Sequence, residues 1–156
     1  MTLPPPGSSA PLPSWSASLG YGGLVPFVAC ALAMLLPEAG MRDLASRLLV
    51  GYGAVILSFL GGVHWGLVLR TSSPRAPGML AIGILPSLAG WLTLLLPFEK
   101  ALAAQVAVFG GFWLYEHRIL GPDLIPPAYL AMRRWLTLVV IACLGLALMA
   151  PSFALT

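Results

Sequence analysis

The stretch LASRLLVGYGAVILSFLGGVHWGLVL, residues 44–69, decides the fold. Arg47 is its one formally charged side chain, and its apolar residues do not alternate with polar ones. That lack of alternation excludes a half-buried strand. A helix rises ~1.5 Å per residue and needs about 20 apolar residues to cross ~30 Å of hydrocarbon, so this run is long enough. In lipid, only a helix satisfies its backbone groups within one segment.

Four further apolar runs flank it. Residues 19–36 are broken early by Pro26 and closed by Pro37. Residues 79–96 hold Pro86 and Trp91 and end at Pro97, and the last two runs are residues 101–120 and 135–150. The expectation is an all-α, polytopic membrane helix bundle of about five transmembrane helices, with short connections that make sequence neighbours antiparallel. Composition agrees. The 156 residues are 59% hydrophobic and 8% charged, with a mean hydropathy of +0.94. Eight basic and five acidic side chains cannot coat a soluble domain of this size, and a disordered chain would be richer in charge. Residues 1–17 are rich in Pro, Ser and Gly, carry no charged side chain and lack the basic region of a secretory signal. They read as a disordered tail ending near Trp15, before a single transmembrane helical domain over residues 18–156.

A net charge of +3 in a polar chain would suggest nucleic acid, but the basic residues are scattered in ones and twos with no basic face. The expected environment is the lipid bilayer. If the N-terminus lies on side A, the connections on that side carry Arg70, Arg75, Arg118, Arg133 and Arg134, against Arg42, Arg47 and Lys100 on side B. Five against three votes for a cytoplasmic N-terminus. Cys30 and Cys143 lie in apolar runs and read as small buried hydrophobes.

Within the second run, Ala54, Ser58, Gly62 and Gly66 place a small residue at every fourth position. At 3.6 residues per turn they form one stripe suited to close helix packing. His64 lies on the opposite face, flanked by Gly53, Leu57, Leu60 and Gly61. A helix with a packing stripe on one side and a histidine on the other is expected at the bundle centre. An ionisable residue at that depth marks a functional site or a side chain satisfied by a neighbouring carbonyl. Trp65 beside it reads first as an interfacial aromatic.

The fourth run ends in Phe112, Trp113, Leu114, Tyr115, Glu116, His117 and Arg118, with Gln105, Phe109, Phe112 and Glu116 on one face. Antiparallel order brings His64, Glu116, His117, Arg133 and Arg134 to one end, where Glu116 and Arg133 are placed to pair. The plain alternative is a set of snorkelling interfacial charges. His64 and His117 sit at different depths, which argues against haem. There is no Cys/His cluster for zinc, no nucleotide-binding loop and no nucleophile triad, so neither a cofactor nor a metal is expected. The bundle interior otherwise offers only Ser58, Ser87, Thr93, Gln105, Thr137 and the cysteines as polar groups, a thin basis for a transport pathway.

The stretch YGAVILSFLGGVHWG, residues 52–66, resembles the hallmark of the membrane family known as domain of unknown function 3429, a proteobacterial family with a mitochondrial relative, transmembrane protein 69. GYGGLVPF at 20–27, LPSLAGW at 85–91, and PPAYLAMR at 126–133 followed by Leu136 and Thr137 agree. The resemblance covers about residues 18–148. The family pattern has an Asp where this chain has Glu116 and a basic residue where it has His117. It implies a small inner-membrane protein and no particular reaction.

Three functions follow as expectations. The first is a non-enzymatic, multi-pass protein of the bacterial inner membrane, acting through helix packing as an accessory or assembly partner of other membrane subunits or of itself. The second is a site for a quinone or lipid headgroup lined by His64, Trp65, Glu116, His117 and Arg133, with His64 as donor. The third, less supported, is a small transporter.

Overall fold

The computed structural model describes residues 14–69, 76–120 and 127–150. Six helices follow in order: α1 Ser14–Gly22, α2 Val25–Ala33, α3 Ala39–Val68, α4 Ala76–Thr93, α5 Phe98–Tyr115 and α6 Pro127–Met149. A single π-helical turn, Glu116–Leu120, extends α5. No strand occurs among the described residues.

The helix ends follow the proline and glycine pattern. Pro26 sits in the first turn of α2, where a missing N–H costs nothing, and Gly22 and Gly23 precede it. The run over residues 19–36 is therefore two short helices rather than one. Before Pro37, Leu35 and Leu36 donate to the carbonyls of Leu32 and Ala33, a tightened turn that closes α2. The same device closes α4 before Pro97, where Leu94, Leu95 and Leu96 donate to Trp91, Leu92 and Thr93. Helix α5 opens directly after Pro97, with Glu99 in its first turn facing the positive end of the helix dipole.

Among the described residues, three helices are long and apolar enough to cross a membrane: Ala39–Gly66 within α3, Ala76–Thr93 and Pro127–Met149. The apolar helical stretch Ser18–Ala33 is shorter, and Glu99, Lys100 and Gln105 dilute α5. The chain is thus an all-helical polytopic membrane protein. Helix α3 packs against α2, α4 and α5, so the second run does occupy the centre, while α5 also packs on α6. Phe27, Leu49, Leu57, Leu102, Phe109 and Leu144 are fully enclosed between these helices. Cys30 and Cys143 are unpaired, the first half-buried and the second buried.

Two boundaries differ from the sequence reading. Helical structure begins at Ser14, inside the segment expected to be a tail, while residues 1–13 lie outside the described residues. Helix α6 begins eight residues before the last apolar run, which carries Arg133 and Arg134 into the helix. Arg133 is buried there and forms an ion pair. It is not a loop charge available to set orientation, which removes one arginine from the side-A count.

Candidate functional site

The α3–α4 contact is built on glycine. A Cβ on Gly61 would run into the carbonyl oxygen of Gly83 and lie 3.0 Å from the Ser87 hydroxyl. One on Gly90 would lie 3.0 Å from the Ala54 carbonyl oxygen. The pairs Gly61 with Gly83 and Ala54 with Gly90 are each separated by seven residues along their helices, two turns, as antiparallel packing in one register requires.

This close approach creates polar contacts at one end. The His64 Nε2–H donates to the Met79 carbonyl at 3.0 Å and the Trp65 indole N–H donates to the Leu80 carbonyl at 2.9 Å. The two rings straddle Gly83, where an added Cβ would sit 2.7 Å from His64 Cδ2 and from Trp65 Cδ1. His64 is fully buried, with its ring against Phe112 at 5.6 Å and Tyr115 at 5.8 Å. Its one neutral-state N–H goes to Met79, so the remaining nitrogen, Nδ1, is an acceptor. The role of donor to a ligand is already occupied by the protein.

At the same end, Arg133 and Glu116 are 4% and 1% exposed. Arg133 Nε donates to Glu116 Oε2 at 3.1 Å, and Nη1 donates to the Thr137 hydroxyl at 3.0 Å, one turn along α6. Glu116 opens the π-helical turn that follows α5. Such turns add a residue to the helical repeat and are frequent at functional sites. Arg133 Nη2 is buried and has no partner among the described residues.

Arg133 also forms part of the wall of a half-open cavity of about 360 Å³ between α1, α2, α3, α5 and α6. The rest of the wall is almost entirely apolar, including Phe27, Leu60, Val63, Phe109 and Met132, with the Tyr129 side chain beside Arg133. Leu19 and Phe59, also on its wall, are 72% and 63% exposed. The cavity therefore opens sideways, toward lipid.

The match of residues 12–149 to the model of the family described as Protein of unknown function (DUF3429) decides the relationship. The chain belongs to that family. It is 36% identical to "Transmembrane protein 69" of Xenopus tropicalis over 126 residues, 79% of this chain and 49% of that protein. With the Mus musculus protein of the same name it shares 36% identity over 120 residues, 75% of this chain and 48% of that protein. The chain spans about half the length of these curated relatives. No solved structure matches it.

The family match spans every site residue expected from the sequence, and the fold separates them into groups. Glu116 and Arg133 meet directly. His64 joins the aromatic side of the same end, through Phe112 and Tyr115. Trp65 turns to α4, and His117 stacks on Trp113 at 5.5 Å on the exposed side. Of the expected small-residue stripe, Ala54 packs on Gly90, but Ser58, Gly62 and Gly66 are exposed, and a Cβ on either glycine would meet nothing within 4 Å. The close contact within the bundle runs instead along the His64 face, through Gly53, Leu57, Leu60 and Gly61, all buried. The sequence reading missed the partner surface. Gly83, Ser87 and Gly90, at intervals of four and three, form a small-residue face on α4. Among the described residues, no group of three or more His, Cys, Asp and Glu is placed to hold a metal ion.

Proposed function

We propose that this membrane protein is a non-catalytic binding protein that holds a small lipophilic molecule in the cavity between α1, α2, α3, α5 and α6. One observation carries this reading: an apolar, laterally open cavity of about 360 Å³ has Arg133 and Tyr129 as the polar side chains among its lining residues. Ligand sites of this kind are mostly apolar with a few placed polar groups, and begin near ~300 Å³. Protein extracted in mild detergent should carry a lipophilic molecule that native mass spectrometry detects. Val63→Phe, on the half-buried wall, should abolish that adduct while leaving the protein folded. Identical spectra for the two proteins would refute the site.

A second reading, an accessory subunit acting through helix packing, is supported by Gly62 and Gly66, which lie exposed on α3 with open space where side chains would be. Small residues let another helix approach closely in lipid. Gly62→Leu should then dissociate a partner or a second copy in mild-detergent purification. Recovery of a monomer from both proteins would remove this reading.

A further inference from the structure

Charge is divided unequally between the two ends of the bundle. At the end where α3 and α5 begin, tied together by the bond from Gln105 to Val50, Glu38, Asp43 and Glu99 balance Arg42, Arg47 and Lys100. The whole net charge of +3 therefore falls at the opposite end, where α3 and α5 finish and α6 starts. There Glu116 and Arg133 neutralise each other and are buried. Arg118 and Arg134 are exposed, and neither has an ion-pair partner among the described residues. We infer that this end of the bundle binds the headgroups of anionic phospholipids through Arg118 and Arg134.

The depth of the two arginines suits that partner. The Glu116–Arg133 pair, at 3.1 Å, holds α5 and α6 in register. Arg118 and Arg134 are two and one residues further along, so they lie within about one helical turn of the same level. Tryptophans mark that level. Trp135 is exposed beside Arg134, and Trp113 stacks on His117 at 5.5 Å. Trp65, also exposed, adjoins the His64 ring that packs against Phe112 and Tyr115. Indole rings concentrate at the headgroup boundary, where an apolar body and an N–H group both find partners. A guanidinium in that layer reaches lipid phosphate on its flexible stem and bonds it through paired N–H groups.

Charge then selects among the lipids. A zwitterionic headgroup offers the same phosphate with a cation attached, whereas an anionic one answers the excess positive charge of this end. No exposed acid competes for the arginines among the described residues here, while at the other end Arg47 already has Asp43. Neither Arg118 nor Arg134 lines the cavity, so this inference stands apart from the proposed ligand site.

The test places the full chain in phosphatidylcholine nanodiscs with brominated phosphatidylglycerol or brominated phosphatidylcholine as the minority lipid, and reads quenching of the tryptophans. A basic side chain beside an anionic surface favours it about fivefold, so wild-type protein should prefer phosphatidylglycerol about fivefold or more. Arg118→Gln/Arg134→Gln should bring the two lipids close to equality, and Arg118→Lys/Arg134→Lys should keep the preference. Salt at about 1 M, with a screening length of ~3 Å, should suppress it in wild type. The salt series decides the matter even should the glutamine variant not fold. Equal quenching by the two lipids in wild type would overturn the inference and leave the exposed arginines to an acidic protein partner. A preference indifferent to salt, or unchanged in the glutamine variant, would overturn it as well.

Discussion

Adjacent glycines on α3 should respond oppositely to the same substitution. In Gly61→Ala the new methyl would run into the Gly83 carbonyl oxygen and press on Ser87. The obstacle is backbone, so α4 has to retreat as a unit. Overpacking of this kind costs about 1–3 kcal/mol. Retreat also lengthens the bonds from His64 to Met79 and from Trp65 to Leu80. Side-chain hydrogen bonds within membranes average about 0.6 kcal/mol each, so their loss adds roughly another 1 kcal/mol. Gly62→Ala has no such contacts, because its Cβ would enter open space. Both variants gain the same helix propensity, about 1 kcal/mol, which cancels in the comparison. Gly61→Ala should therefore be about 2–4 kcal/mol less stable than Gly62→Ala. Unfolding in mixed SDS micelles, followed by tryptophan fluorescence, measures the difference directly. Equal stabilities, or a less stable Gly62→Ala, would refute the register assigned to α3 and α4.

The buried pair should show strong non-additivity. Arg133→Gln leaves Glu116 buried without a cation and should cost about 3–5 kcal/mol, whereas Glu116→Gln/Arg133→Gln should cost much less than the sum of its singles; a double-mutant cycle in the same micelles checks this, and additive losses would contradict the pairing. Gln105 donates to the Val50 carbonyl and to the Thr93 hydroxyl, which in turn donates to the Gly90 carbonyl, so it links α5 to both α3 and α4. Gln105→Leu should cost about 1–3 kcal/mol by the same measurement, since the Val50 and Thr93 contacts lose their donor; a neutral outcome would mean the link contributes nothing net.

The helical class and the central place of the second run were legible because apolar length is a strong signal when water is excluded. The placement of Gln105, Phe109, Phe112 and Glu116 on one face was legible too, and all four are buried. Helical period needs no tertiary information. The pairing surface was harder to read. Ala54, Ser58, Gly62 and Gly66 satisfy the small-residue spacing better than Gly53 and Gly61 do, yet the latter carry the contacts inside the bundle. Spacing along one helix says that a face permits close approach, not which face a neighbour chooses. That choice depends on the partner helix, where Gly83 meets His64 and Trp65, Ser87 meets Gly61 and Gly90 meets Ala54. Arg133 shows the same limit. Its pairing with Glu116 follows from helix order, but beside Arg134 at the edge of an apolar run it also counts as a loop charge, and only the earlier start of α6 places it buried within a helix.

Two kinds of interaction divide the work along α3, and the division bears on where a ligand can go. At the Gln105 end, the amide fills the space left by Gly53 and bonds to Val50 and Thr93, which fixes α3, α4 and α5 together. At the opposite end, His64 and Trp65 bond to α4, while Glu116 and Arg133 join α5 to α6. The cavity lies on the α1, α2 and α6 side of α3, away from the glycine contact with α4. On that side α1 makes only slight contact with α6, and a Gly22–Gly23 turn joins it to α2. The mouth beside the exposed Leu19 and Phe59 already faces lipid, so access to the cavity leaves the glycine-packed pair undisturbed. The polar contacts of α3, α4 and α5 thus lie apart from that mouth, and a molecule entering the proposed site from the bilayer would leave the Glu116–Arg133 pair intact.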